Sequence, residues 1–254
     1  MTRTVLVTGG SRRIGAAIVR ALARAGHRVV IHHHQPHDDD AAALAHDLDP
    51  TGERIATVVG DLADPVAIFG AARAAMNGNV DGLVNCASVF EFDRPPAFDP
   101  ALLASLTTTN LAAPVALACE LARQDGLDDG AVVNLLDQKV ANLNPDFFSY
   151  TCTKIALEGA TTMLAQALSP RVRVNAVSPG LTLPSGDQSD DEFKAVASEN
   201  LLRRPVPIDE IARAVEYLLT APAVTGHNLF LDNGQRFLKR DGDVMFSTPG
   251  RRDG

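Results

Sequence analysis

The sequence contains no tryptophan, and aromatic residues of every kind make up only 5% of it. Cysteine is scarce. Cys86, Cys119 and Cys152 are an odd number with no Cys-x-x-Cys pair, which fits a reducing cytoplasm and no disulfide frame. Positive charge is short too. The net charge of −8 argues against a nucleic-acid partner or an anionic membrane surface. The opening residues, Met1-Thr-Arg-Thr-Val-Leu-Val, read as a strand and not as a signal peptide. No apolar run suggests the roughly 18 to 20 residues that span a bilayer. What remains is a cytoplasmic chain of 254 residues, 46% hydrophobic, which suits one large α/β domain with a substantial core.

Apolar runs of strand length alternate with helical patterns. Val5–Val7, Val29–Ile31, Ile55–Val59, Gly82–Asn85, Ala131–Leu136, Val172–Val177 and Leu229–Leu231 predict strands. Regions 12–25, 38–48, 64–76, 100–125, 147–168 and 208–220 predict helices. The strands are continuously apolar rather than alternating, so both sheet faces are covered. That is the pattern of a doubly wound, Rossmann-type parallel sheet in a single domain over residues 1–240. Residues 181–205 form a long connection with a short helix near 190–200, placed as a substrate lid. Residues 241–254 read as a mobile tail.

Thr8-Gly9-Gly10-Ser11-Arg12-Arg13-Ile14-Gly15 follows the first strand and opens the first helix. Glycines let the backbone turn sharply and approach a pyrophosphate, which meets the helix N-terminus. Arg12 and Arg13 add charge-assisted donors at the mouth of that anion site. The second strand ends in His32-His33-His34-Gln35, without the acidic residue that grips the ribose 2′-hydroxyl of NAD. Both features favour NADPH. Successive strand residues face opposite ways, so the histidine run cannot converge on one metal ion, and no metal is expected. Asp61 and Leu62 after the third strand, and Asn85, Cys86, Ala87 and Ser88 after the fourth, lie at the carboxyl edge of the sheet where a cofactor would meet them.

Tyr150 and Lys154 are four apart, which puts a phenol and an ammonium on one helix face. A nearby ammonium favours phenolate, so the tyrosine is expected to exchange a proton well below its free pKa of about 10. Asp137 stands thirteen residues before it.

Thr8–Gly15, Asp61, Asn85–Ala87, Asn110, Tyr150, Lys154 and Ser178-Pro179-Gly180 together resemble the short-chain dehydrogenase/reductase family over Thr4 to Gly234. The resemblance implies that Tyr150 is the general acid/base. It implies that Lys154 holds the nicotinamide ribose and lowers the tyrosine pKa, and that Asn110 holds a relay water. It places Pro179 and Gly180, with Thr182 beyond them, on the cofactor. It also implies a homotetramer built on the 100–125 and 147–168 helices.

Two positions depart from the family pattern: Arg13 replaces a glycine, and Asp137 replaces the usual serine. An ionised aspartate accepts hydrogen bonds and repels a developing alkoxide, so it suits a nitrogen heterocycle better than a ketone. Both departures resemble the pteridine reductase branch. There the arginine contacts cofactor phosphate and pterin, and the aspartate and tyrosine form the acid pair. A Ser-x-Phe binds pterin, here Ser88-Val89-Phe90, and His34 matches a histidine near the adenosine phosphate. Lys139 is not an obvious match to that branch and either reaches the substrate's tail or is solvated. The implied activity is NADPH-dependent reduction of a C=N bond in a dihydropterin- or dihydrofolate-like substrate. The alternatives are a carbonyl reductase of the same family, or a cofactor-binding sensor without catalysis.

Overall fold

The computed structural model describes residues 2–184 and 189–244. Seven strands form one sheet: β1 (Thr4–Thr8), β2 (Arg28–His33), β3 (Ile55–Val59), β4 (Gly82–Asn85), β5 (Gly130–Leu135), β6 (Val172–Pro179) and β7 (Asn228–Leu231). Their order is β3-β2-β1-β4-β5-β6-β7, and every pairing is parallel. The helices are α1 (Arg13–Arg24), α2 (Asp39–Leu48), α3 (Pro65–Ala75), α4 (Pro100–Thr107), α5 (Ala113–Arg123), α6 (Phe148–Leu168), α7 (Asp190–Ala197) and α8 (Ile208–Thr220).

The apolar strand runs divide by parity. Val5 and Val7 of β1 pack with α1, α2 and α8 on one face, and Leu6 between them packs with α3, α5 and α6 on the other. Two cores thus sandwich one sheet, as continuously apolar strands require. Three helix starts are set by aspartates: Asp38, Asp64 and Asp99 accept from the amides of Ala41, Ala67 and Ala101. Pro65 and Pro100 follow two of these caps, where a missing N–H costs nothing. The strand order reverses between β1 and β4, and the crevice at that switch point is where α/β sheets bind ligands.

Three expectations are corrected. The 100–125 region is not one regular helix. A π-helical turn, Thr108–Ala112, separates α4 from α5. The whole stretch Pro100–Arg123 is nevertheless 24 residues long with hydropathy 1.5, enough by length and composition to cross a bilayer. Here it serves as a layer helix, with Leu117, Ala118 and Leu121 buried in the core beneath β4 and β5. The expected tail is also not loose throughout: Asp241 is exposed, but Asp243 and Val244 are buried, at 9% and 6% exposure. Residues 245–254 of the expected tail, and 185–188 of the expected lid, lie outside the described residues. Helix α7 falls within the 190–200 stretch where a short helix was expected.

Candidate active site

A cavity of about 500 Å³ opens at the carboxyl ends of the central strands. Its floor at one end is the glycine turn. Gly9 has φ +62°, and a Cβ there would lie 2.9 Å from Ala87 Cα, so only glycine lets this turn pass β4's exit. His32 braces the turn from beneath. Its ring bonds to Gly60 O at 3.1 Å and receives the Gly9 N–H at 3.4 Å. Burial lowers its pKa to about 4, so the ring stays neutral. Ser11, Arg12, Arg13, Ile14 and Gly15 line the same end, with the unpaired amides of the α1 N-terminus behind them. Arg13 adopts φ +52°, the left-handed conformation that favours glycine, and its guanidinium donates to Pro184 O at 2.8 Å. A non-glycine residue held there costs of order 1 kcal/mol or more. The side chain is thus maintained against backbone preference.

At the other end Tyr150 donates its phenol proton to Asp137 Oδ2 at 3.0 Å. Asp137 follows β5 and caps a short 3₁₀ turn, Gln138–Ala141, accepting the Lys139 amide on Oδ1 at 2.8 Å. Burial raises the Asp137 pKa, offset in part by that amide and by the Lys139 charge. Tyr150 is pushed well above its ordinary value, first by burial and then by Asp137's charge and hydrogen bond. The net direction is the opposite of the downward shift expected from Lys154, because burial and Asp137 dominate. The Lys154 ammonium donates instead to Leu135 O at 2.8 Å and sits 5.6 Å from the Tyr150 ring centre. Burial brings Lys154 itself down to about 8. Tyr150 is a loaded acid at neutral pH, and Lys154 is a buried ammonium close to its own titration.

A sequence profile described as enoyl-(acyl carrier protein) reductase matches residues 9–236. The FolM alternative dihydrofolate reductase 1 from Brucella suis, solved in complex with NADP, is 41% identical, with a TM-score of 0.89 over 94% of this chain and 96% of that one. A short-chain dehydrogenase/reductase from Serratia marcescens is 29% identical, with a TM-score of 0.82 over 92% of this chain and 98% of its own. The chain belongs to the short-chain dehydrogenase/reductase family. A dihydromonapterin reductase from Enterobacter sp. (strain 638) is 27% identical over 92% of this chain and 96% of its own.

Most residues singled out by sequence meet at the cavity of this short-chain dehydrogenase/reductase. Ala87, Ser88, Phe90, Pro179, Gly180 and Thr182 join those already described. Five do not. Asn85 is buried and donates to Asn134 Oδ1 at 2.8 Å. His34 is exposed at the end of β2, Asp61 is exposed and accepts the Ala63 amide, and Leu62 is core. Asn110, in the π turn, is 1% exposed. Its amide donates to Val89 O and Thr153 Oγ1, and its oxygen accepts from Val89 N and Ser88 Oγ. Four bonds saturate that side chain, so it fixes the Ser88–Val89 strand exit and does not hold a relay water through its amide.

Other residues reach the site unannounced. Asp93 accepts from Ser149 N at 2.8 Å and Ser149 Oγ at 2.5 Å, capping α6 just before Tyr150. Asp38 returns to the glycine turn, accepting from Ser11 Oγ at 2.9 Å, and Arg12 Nε lies 2.7 Å from Asp40. The end of β2 has no acidic residue, but the fold brings two carboxylates to Arg12 from the start of α2. Cys86 lines the cavity as an inert thiol, since burial raises its pKa to about 12. Lys139 is neither solvated nor free: it is 3% exposed and paired with Asp243 at 2.7 Å.

Proposed function

We propose that the protein reduces the C=N bond of a dihydropterin- or dihydrofolate-like heterocycle with NADPH as hydride source. The observation that carries this is the Asp137–Tyr150 pair: a carboxyl of raised pKa hydrogen-bonded to a protonated phenol in the cavity wall. The likeness to the Brucella suis protein solved with NADP supports the cofactor. NADPH, when bound, supplies the hydride.

This chain's residues do the rest. The Gly9–Gly15 turn and the α1 N-terminus fit a pyrophosphate, and Arg13 adds positive charge for a further phosphate, the Arg12 charge being paired with Asp38 and Asp40. Arg13 and Asp137 orient the heterocycle, the carboxylate accepting ring and amino N–H groups. Phe90 is 41% exposed and offers a ring face beside Tyr150, whose ring it meets at 4.7 Å and 88°. Tyr150 Oη donates the proton to the substrate nitrogen; the Asp137 carboxylate then takes a proton from solvent and passes it to the tyrosinate, and the Lys154 ammonium is a second source.

The test is initial-rate NADPH oxidation with 7,8-dihydrobiopterin. Turnover with NADH clearly poorer is expected. Failure on dihydropterins with reduction of ketones would transfer the site to the carbonyl reductase reading. Arg13→Gly separates the two roles of Arg13. Relief of the left-handed backbone should stabilise the fold by about 1 kcal/mol. The lost guanidinium should weaken NADPH more than NADH. Equal losses for the two cofactors, measured by titration, would remove the 2′-phosphate argument.

Assembly follows the family expectation of a cytoplasmic homotetramer. Ile155 and Met163 on α6 are 39% and 63% exposed, which supports a covered helix face. A monomeric mass in solution would contradict that assembly.

A further inference from the structure

The turn that carries Asp137 is fastened from behind by the end of the chain. Lys139 Nζ donates to Asp243 Oδ2 at 2.7 Å and to Asn144 Oδ1 at 3.0 Å, across 104 residues of sequence in the first case. The Lys139 backbone amide meanwhile holds Asp137 Oδ1. The same ammonium lies 5.6 Å from the centre of the Phe147 ring, on which Phe90 stacks at 4.1 Å and 17°. One buried cation thus touches the acid turn, the C-terminal segment and the aromatic wall.

The C-terminal segment is seated closely. Asp243 N donates to Asp146 Oδ2 at 2.6 Å, and a Cβ on Gly242 would lie 2.9 Å from that oxygen. Asp146 is 2% exposed, with its other oxygen 3.2 Å from Arg94. Upstream, Asn142 Nδ2 reaches Leu238 O at 3.2 Å. Asp243 and Val244 then form part of the cavity wall itself. A buried ion pair contributes little net stability relative to apolar packing, so its effect is read in geometry.

We propose that Lys139 and Asp243 are positioning residues: their ion pair locks the segment Asp241–Val244 onto the Asp137 turn and makes that segment a wall of the substrate pocket. The proposal takes its substrate from the reductase reading above. The locking itself stands on the geometry alone. Neither residue needs to touch the reacting atoms. Without the pair, the Asp137 turn is held only by its own local bonds and the pocket loses one side, while the glycine turn is untouched.

The experiment compares full-length Asp243→Asn, Lys139→Met and the double variant with the parent. Asp243→Asn keeps a neutral acceptor for Lys139 and is the milder change, so it reports even if Lys139→Met folds poorly. Expected is a loss of about tenfold to a hundredfold in kcat/KM for 7,8-dihydrobiopterin, carried mainly by KM, because small misplacements cost that much. NADPH binding should be unchanged. The double variant should lose no more than the more affected single variant, since both changes break the same pair. Hydrogen exchange read on peptides covering 137–141 and 241–244 should speed up together in the single variants, and the peptide covering Gly9–Gly15 should not change. Parental exchange rates in both segments, or parental KM in all three variants, would overturn the proposal. If the parent itself turns over no dihydropterin, the substrate reading fails, and the exchange result still decides the locking.

Discussion

Tyr150→Phe is expected to lower turnover of a dihydropterin about 10²-fold or more, the usual scale for losing a general acid, with NADPH affinity close to parental. The change removes one oxygen. The ring keeps its contacts, edge-on to Phe90, and α6 keeps its cap from Asp93. The Lys154 bond to Leu135 O does not depend on the phenol. What disappears is the proton that burial and Asp137 hold on Tyr150. Stopped-flow oxidation of bound NADPH would isolate the chemical step. Parental rates in that variant would sink the assignment of Tyr150 as the donor.

The second large effect is at Asp137. Asp137→Asn keeps the shape and an oxygen to accept the Lys139 amide, but it cannot hold or pass a proton. Turnover should fall by about 10²-fold or more on the same reasoning, whereas stability should move the other way. The folded-state pKa of Asp137 is raised by burial. Its contribution to stability is therefore fullest below the unfolded value of about 3.9 and is lost as pH rises through the folded value. At neutral pH the parent carries that loss and the asparagine variant does not. Thermal unfolding should show the variant more stable than the parent at pH 7, with the difference shrinking towards pH 4. A variant equally stable at both pH values would mean that Asp137 is not desolvated in the folded protein.

The sheet was legible because each strand is a short apolar run bounded by turn residues, a signal that does not depend on distant partners. Its parallel order follows from the alternation with helices. The glycine turn and the Tyr150–Lys154 spacing were legible because local geometry alone brings their residues together. The residues that sequence reading missed are joined across long separations. Asp93 caps α6 from 56 residues away, Asp38 meets Ser11 from 27 away, and Asp243 meets Lys139 from 104 away. No local pattern announces such a partner. The upward shift of the tyrosine pKa has a related origin. Helical spacing places Lys154 near Tyr150, but the cavity's burial and the Leu135 carbonyl decide where its charge acts. The Asp61 and Leu62 readings rested on position after a strand and the His34 reading on the family resemblance; Asp61 and His34 face solvent and Leu62 the core.

The π turn at Thr108–Ala112 has a consequence for how this protein can change over generations. Each residue added to or removed from a regular helix rotates everything beyond it by about 100°. A π turn is a place where one extra residue is already absorbed. Deleting a single residue between Thr108 and Ala112 would restore a regular helix that looks better formed. It would also swing Asn110 away from Val89 and Thr153, freeing the Ser88 loop from the α6 helix. Length variation should therefore be tolerated in the surface turns and absent from this helix, and a deep mutational library containing single-residue deletions would display that contrast directly.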